Sequence, residues 1–330
     1  MWYPLTFRPL FMERVWGGRR LAELFGKPLP AGAVVGESWE ICDRPGASSE
    51  VASGPLAGRT LGELMAAHGA EIMGRPVAAG ERFPWLCKLL DARDDLSLQV
   101  HPPAEVAASL GGEPKTEMWY VASAMPGAVL HAGVRPGMTP AEFAARAADG
   151  TVADCFHRLP VVVGDALFLP SGRVHALGAG IVIFEIQQNS DTTYRVFDWN
   201  RAGLDGKPRE LHLEAALESI DFSDTAPALV SRDAVADGKF SKRTLVADPL
   251  FRVTEHSGEA TARDPRRGHE PALLAVAVGA LRVAAGGHEV ELKAGDFALL
   301  PAAMDIATLR TSGGPATWLS TLPGVDPSER

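Results

Sequence analysis

Residues 96–101 read Leu-Ser-Leu-Gln-Val-His and alternate strictly between apolar and polar side chains. Successive side chains of a β-strand point to opposite faces, so Ser97, Gln99 and His101 share one face of a predicted strand. A hydroxyl, an amide and an imidazole together suit a metal ion or a polar ligand better than bulk water. This stretch therefore predicts one wall of a binding site, and the fold depends on which strands supply the other walls.

Other apolar stretches that we predict as strands also carry ionisable or metal-ligating side chains. A β-barrel with a site in its interior or mouth gives this pattern, so the predicted fold class is mainly β. The stretches cover residues 84–90, 115–121, 160–175 and 181–188, and they bring Lys88, then Lys115 and Glu117, then His175, and then Glu185.

For some charged side chains on predicted strands, the sequence alone does not show whether the charge is buried or reaches water. The stem of Lys88 can pack in its apolar run while its amine reaches water, or its charge can face the barrel interior. The sequence leaves these two interpretations open. Glu37 and Glu40 lie on a weakly alternating strand over residues 36–42, and we expect both to be solvated.

The composition limits the classes of protein to consider. The chain has 330 residues, of which 46% are hydrophobic, and a net charge of −9. This length predicts two domains, or one domain with large insertions. An acidic chain without a basic run argues against nucleic acid as a partner, and the apolar runs are too short to span a membrane. The oligomeric state stays open.

The cysteines indicate a compartment. Cys42, Cys87 and Cys155 are widely spaced and odd in number. They are typical of free thiols in a reducing environment. Because the N-terminus also lacks a signal-peptide pattern, we expect a cytoplasmic protein. Imidazole, carboxylate and amide groups are then the expected ligands for any metal.

Two segments carry strong signals for the start of a helix. Thr60 with Glu63 forms a predicted capping box. Thr139 precedes a proline at the first helical position, with Glu142 following. Both predict helices inserted between strands.

One short motif occurs twice. Gly-Asp-Ala-Leu-Phe-Leu-Pro at residues 164–170 matches Gly-Asp-Phe-Ala-Leu-Leu-Pro at residues 295–301. Each copy predicts a tight turn, a buried strand and a proline that ends it. Gly172 and His175 follow the first copy only. One half of the chain is therefore expected to keep a metal site that the other half lacks.

The first copy resembles the second motif of the cupin superfamily, whose small jelly-roll barrels hold a metal ion. The first cupin motif normally begins His-x-His, whereas this chain has Gln99-Val-His101. That change resembles the type I phosphomannose isomerases in their short bacterial form. The resemblance also includes Lys115-Thr-Glu117, the run from Glu185 to Arg195, Trp16-Gly-Gly and Gly36-Glu-Ser-Trp-Glu.

The resemblance and the repeat together imply two cupin-like jelly-roll barrels with a helical insertion. We expect a catalytic cupin domain with helical insertions over residues 1–220. A crossing segment is expected over residues 221–245. A second cupin-like barrel without metal ligands should then follow over residues 246–330.

The resemblance implies one Zn²⁺ per chain, bound by Gln99, His101, Glu117 and His175. Zinc accepts imidazole nitrogen and carboxylate oxygen readily. Each side chain taken alone has a simpler interpretation as a hydrogen-bonded core residue. Four of them on the inward faces of neighbouring strands favour the metal.

The implied reaction interconverts mannose 6-phosphate and fructose 6-phosphate through a cis-enediol. Arg195 is the implied catalytic arginine, and it suits either the developing negative charge or the phosphate. Glu185 and Lys115 are candidates to move the proton, and the sequence does not choose between them. Ser97 and Lys88 are candidate substrate-binding residues. A nearby zinc ion should lower the pKa of both lysines.

Two other classes of function fit parts of the same pattern. A cupin oxygenase would use Fe²⁺ or Mn²⁺ in a similar ligand set. The basic group Lys88, Lys115 and Arg195 suits a phosphorylated sugar better. A non-catalytic sugar-binding cupin is the other alternative, and the retained polar residues of the first half argue against it.

Overall fold

The computed structural model describes residues 2–266 and 268–325 of the chain. Within these ranges the fold is mainly β, as predicted, with two pairs of larger antiparallel sheets and a two-stranded ribbon. The strands of the first half are β1 (Leu10–Gly18), β2 (Val35–Ile41), β3 (Asp43–Arg44), β4 (Ala47–Ser48), β5 (Trp85–Ala92), β6 (Leu98–Val100), β7 (Glu117–Ala124), β8 (Val129–Val134), β9 (Phe156–Pro160), β10 (Ala166–Leu169), β11 (His175–Leu177), β12 (Ile181–Gln188) and β13 (Tyr194–Phe197).

The first pair of sheets encloses the predicted site. The larger sheet has the order β1-β2-β5-β12-β7-β10 and the smaller one the order β13-β6-β11-β8-β9. Leu90 and Val121 of the larger sheet share one buried cluster with Leu130 and Leu177 of the smaller sheet. The two sheets therefore face each other across a common interior.

The second pair of sheets repeats this arrangement. Its strands are β14 (Val235–Asp237), β15 (Phe240–Ala247), β16 (Phe251–Gly258), β17 (Thr261–Arg263), β18 (Ala272–Val278), β19 (Ala280–Ala285), β20 (His288–Lys293), β21 (Phe297–Leu300), β22 (Thr308–Thr311) and β23 (Ala316–Pro323). The larger sheet has the order β14-β15-β16-β23-β18-β21 and the smaller one the order β17-β22-β19-β20. Phe184 of β12 packs on Phe297 of β21, with ring centroids 5.5 Å apart. The two halves thus share a large buried core.

The short repeat occupies equivalent places in the two halves. β10 pairs with β7 at the end of its sheet, and β21 pairs with β18 at the end of its own. The glycine before each strand has a left-handed φ, 85° at Gly164 and 89° at Gly295. Glycine adopts this conformation without a steric penalty, which explains its position in both turns.

The helices lie between strands. They are α1 (Arg20–Phe25), α2 (Leu61–Met73), α3 (Ala104–Ala107), α4 (Pro140–Asp149) and α5 (Leu213–Ser219), with a 3₁₀ turn at Val152–Cys155. Thr60 and Thr139 cap α2 and α4 as predicted. Phe143 of α4 and Ala216 of α5 share a core with Val100 and Ala176, so these helices cover the outer face of the smaller first sheet. No helix among the described residues is long and apolar enough to cross a bilayer.

Some strands differ from the sequence prediction. The single strand expected over residues 160–175 is instead the end of β9, all of β10 and the start of β11, separated by turns. β14 and β15 lie largely within the expected crossing segment 221–245, where they join the second pair of sheets. A polar, weakly patterned strand at a sheet edge gives little periodic signal. The proposed domain boundaries stay predictions.

His256 makes the stability of the second half depend on pH. Its ring stacks on Trp318 at 5.1 Å, and its Nε2 lies 2.8 Å from Ser320 Oγ. Burial, followed by the nearby Lys242, lowers the pKa of His256 to about 4. As the pH falls from about 6.5 to 4, His256 is therefore protonated in the unfolded chain but still neutral in the folded one. This difference destabilises the folded state.

We expect His256→Phe to reduce this pH dependence, because phenylalanine keeps the stacking and does not titrate. Between pH 7 and pH 4.5, the wild type should lose about 2 kcal/mol more of its free energy of unfolding than the variant. Urea unfolding at both pH values measures the difference. Equal losses in the two proteins would contradict the assignment.

Candidate active site

Three buried side chains converge between the facing sheets of the first half. His175 of β11 pairs with Gln99 of β6, and His101 follows directly after β6. Glu117 begins β7 in the opposite sheet. Its Oε2 lies 3.5 Å from His101 Nε2, and its Oε1 lies 3.2 Å from His175 Nε2. One ligand atom from each of the three residues lies within 4.8 Å of the others, so the group can hold a metal ion.

The hydrogen bonds of the histidines orient them for this role. Nδ1 of His101 lies 2.8 Å from the carbonyl oxygen of Thr192, and Nδ1 of His175 lies 2.8 Å from that of Arg173. Donation from each Nδ1 leaves the Nε2 lone pair directed at Glu117. A hydrogen bond from the non-ligating ring nitrogen to a backbone carbonyl is characteristic of metal-ligating histidines. The donor set therefore fits a metal ion.

Gln99 lies at the edge of this group. Its Nε2 is 3.4 Å from His175 Nε2, and its Oε1 is 3.4 Å from Ser97 Oγ. Rotation of the terminal amide would exchange these two atoms and direct the oxygen toward the histidines. The alternation of residues 96–101 thus brings Ser97, Gln99 and His101 to one site, as predicted.

Lys115 sets the charges around Glu117. Its Nζ lies 2.6 Å from Glu117 Oε2 and 3.1 Å from His101 Nε2. Burial opposes ionisation of Glu117, but the charge of Lys115 outweighs it and holds the pKa of Glu117 well below the usual value. Burial, followed by Lys115, lowers the pKa of His101 to about 3. An ionised carboxylate beside a neutral imidazole is the state that metal binding requires.

A row of paired residues crosses the larger sheet beside this group. Trp39 pairs with Lys88, Lys88 with Glu185, and Glu185 with Trp119. Glu185 Oε2 accepts a hydrogen bond of 2.8 Å from Trp119 Nε1. Its Oε1 lies 3.4 Å from Lys88 Nζ and 4.0 Å from Lys115 Nζ. Burial and the charge of Glu117 raise the pKa of Glu185.

The structure resolves the two interpretations of Lys88. Lys88 is 3% exposed and faces the interior. Burial lowers its pKa, but Glu37 and Glu185 outweigh that effect, so the net shift is upward. Two carboxylates flank its ammonium group and oppose the downward shift expected from a nearby zinc ion.

Glu37 and Glu40 are corrections, since both were expected to be solvated. Glu37 is 9% exposed and Glu40 is 4% exposed. Arg14 binds Glu37 through Nε at 3.0 Å and Nη2 at 3.2 Å. Burial opposes ionisation of Glu37, but Lys88 and then Arg14 lower its pKa to about 2. The weak alternation of β2 did not show that both of its faces are covered.

One cavity of about 510 Å³ adjoins the metal-competent group through Lys115 and Gln99. Its lining includes the predicted Lys88, Ser97, Gln99, Lys115, Glu185 and Arg195, and also Arg14, Trp16, Glu37, Asp191 and Arg209. The second set was missed as site residues. Trp16-Gly-Gly and Gly36-Glu-Ser-Trp-Glu, two segments of the resemblance, were the available signal for Trp16 and Glu37.

Arg195 lies on β13 at the cavity wall. Its Nη1 donates to the carbonyl oxygen of Glu210 at 2.9 Å. Its buried Nε has no hydrogen-bond partner among the residues that the structure describes. Burial, followed by repulsion from Arg209, lowers the pKa of Arg195. The guanidinium thus has donor capacity left for a ligand.

Comparison with known proteins agrees with this geometry. The catalytic-domain model of type I phosphomannose isomerases matches residues 5–134. The probable mannose-6-phosphate isomerase GmuF of Bacillus subtilis is 38% identical over 308 residues, which are 92% of this chain and 94% of that protein. The chain belongs to the type I phosphomannose isomerase family.

Other members of the family match over a similar length. The mannose-6-phosphate isomerase of Streptococcus mutans is 36% identical over 303 residues, which are 90% of this chain and 92% of that protein. The crystal structure of the mannose 6-phosphate isomerase from Bacillus subtilis superposes with a TM-score of 0.87 at 32% identity. That match covers 97% of this chain and 99% of the other.

Metal binding should depend on Glu117 and not on Glu185. We expect Glu117→Gln to lower the affinity for Zn²⁺ at least about tenfold, because it removes the charged oxygen between the two histidines. Glu185→Gln is the matched control, a buried carboxylate of the same cavity, and it should retain the metal. Metal content after dialysis measures both variants. Equal loss from the two would show that the ligand set is different.

Proposed function

We propose that this chain interconverts mannose 6-phosphate and fructose 6-phosphate through a cis-enediol. The observation that supports it most directly is the cavity, which is lined by a protonatable carboxylate and two lysines, one of which contacts the group able to hold a metal. Its volume of about 510 Å³ lies in the range of small-molecule sites. The activities named for the curated relatives are the same reaction.

We further propose that one Zn²⁺ is bound by Gln99, His101, Glu117 and His175. One carboxylate among neutral ligands leaves a centre of net charge +1, which suits an anionic sugar. When bound, the ion would polarise the carbonyl and hydroxyl oxygens of the substrate. The remaining chemistry belongs to the side chains of the cavity.

Glu185 is our candidate for the base. The reaction breaks the C2–H bond and forms a C1–H bond, so one group must accept a proton and return it to the neighbouring carbon. Glu185 Oε1 accepts no hydrogen bond within the described ranges. A raised pKa also makes a carboxylate better able to hold a proton between the two steps. Trp119 fixes the orientation of the group through the other oxygen.

The cations have complementary roles in this proposal. Lys115 lies between Glu117 and Glu185, where it can donate to substrate oxygens and share the proton with Glu185. Lys88 and Ser97 bind the substrate from the two facing sheets. Arg195 stabilises the negative charge that develops on O1 and O2, or binds the phosphate, through its uncommitted donors.

We propose that the protein acts in the cytoplasm on a phosphosugar, and not on nucleic acid or a membrane surface. Cys42, Cys87 and Cys155 are free and buried, which supports a reducing compartment.

A coupled assay tests the proposed function. Conversion of mannose 6-phosphate to fructose 6-phosphate should disappear after EDTA treatment and return when zinc is added. No conversion by protein with confirmed bound zinc would overturn the isomerase proposal. Oxygen consumption would then indicate a cupin oxygenase, and sugar binding without turnover would indicate a binding protein.

Glu185→Gln should lower kcat about 10²- to 10⁴-fold while the metal content is unchanged, because the amide cannot accept the proton from C2. The same coupled assay measures kcat. Substrate deuterated at C2 should show a primary isotope effect in the wild type, provided that proton removal limits the rate. An unchanged kcat in the variant would exclude Glu185 as the base and leave Lys115 as the candidate.

A further inference from the structure

We propose that Glu37 is a positioning residue for this reaction, which holds the Lys88 ammonium group and the Arg14 guanidinium at the cavity wall so that both face the substrate. The inference rests on the proposed function and adds a residue to it. Glu37 lies on β2, outside the proposed ligand set, and Lys88 lies between it and the proposed base Glu185.

The contacts of Glu37 use both of its carboxylate oxygens. Arg14 binds them with two donors, at 3.0 and 3.2 Å. Trp39 Nε1 donates to Oε2 at 2.7 Å, and Lys88 Nζ lies 3.6 Å from the same oxygen. The Trp39 ring centroid lies 5.1 Å from Lys88 Nζ. One carboxylate thus organises two cations and the aromatic ring beside one of them.

Lys88 needs Glu37 because Glu185, the other carboxylate near Lys88, also lies near Lys115. Glu185 Oε1 lies 3.4 Å from Lys88 Nζ and 4.0 Å from Lys115 Nζ. With Glu37 present, Lys88 has a carboxylate on each side. Without it, Lys88 would keep only Glu185, whose charge it shares with Lys115. A buried ammonium without adequate counter-charge is strongly destabilised, so Lys88 would move toward Glu185.

The sequence around Glu37 explains how Arg14 reaches it. β1 and β2 are antiparallel neighbours, and Gly36 lies at an irregularity in their register. A Cβ built at Gly36 would come within 2.6 Å of Arg14 Cβ and 2.7 Å of the Trp16 ring. Only glycine leaves room here for the Arg14 side chain, which binds Glu37 on the neighbouring strand. The close approach is a local requirement for this ion pair.

Loss of Glu37 should therefore reduce turnover through Lys88. A Lys88 side chain that moves toward Glu185 would leave its place at the substrate and would hold the proposed base more tightly. A misplaced side chain at a catalytic site is sufficient to reduce the rate by about ten- to a hundredfold. Metal affinity should change little, because Glu37 does not contact the proposed ligands.

A double-mutant cycle tests this role. Glu37→Gln keeps the size of the side chain and an acceptor for Trp39 but removes the charge. We expect it to lower kcat for mannose 6-phosphate at least about tenfold. In the background of Lys88→Met the same substitution should have almost no further effect, because residues that act through one another are not additive. Zinc content should be unchanged in every variant.

Glu40→Gln is the matched control. Glu40 is a buried carboxylate of the same strand, and its Oε2 lies 2.7 Å from Lys27 Nζ, away from the cavity. It should lose stability without loss of kcat. If Glu37→Gln does not fold, the shorter Glu37→Asp enters the same cycle and should give a smaller loss of kcat that again depends on Lys88.

The outcomes separate this inference from the proposed function. An inactive, zinc-loaded wild type would overturn the proposed function itself. An active wild type with an unchanged kcat in Glu37→Gln would overturn only the positioning role. Equal losses of kcat with and without Lys88, or loss of zinc from Glu37→Gln, would also overturn it, because Glu37 would then act on the fold or on the metal.

Discussion

The alternation of charge along the cavity wall is the constraint on which the site depends. The series runs Arg14, Glu37, Lys88, Glu185, Lys115, Glu117, and each neighbouring pair lies within 4.0 Å. A buried charge is costly unless an opposite charge or a hydrogen bond compensates it. Each member of the series therefore supports the next, and the metal-competent group lies at its inner end.

The sheet register makes this series possible. Lys88 and Glu185 are direct neighbours on β5 and β12, with Trp39 and Trp119 at either end of the row. In the second half, the equivalent row across β15, β16, β23 and β18 consists of Thr244, Thr254, Ser320 and Leu274. The same architecture thus carries no charges in that row. Within the described residues, the only metal-competent group is the one in the first half.

The sequence predicted some site residues better than others. Strict alternation placed Ser97, Gln99 and His101 on one face, and that face borders the site. Glu37 was expected in solvent, because the alternation of one strand does not reveal what covers its polar face. The charge environment of Lys88 was also not predicted, since it depends on carboxylates from two neighbouring strands.

Local chemistry in the sequence determined the turns at Gly164 and Gly295, the helix caps at Thr60 and Thr139, and the period of the strands. These features depend on residues close together in the chain. The tertiary structure alone decided which polar faces meet water and which meet an enclosed cavity. It did so because strands distant in sequence pair side by side, and the charge of each side chain is then set by partners that no single segment contains.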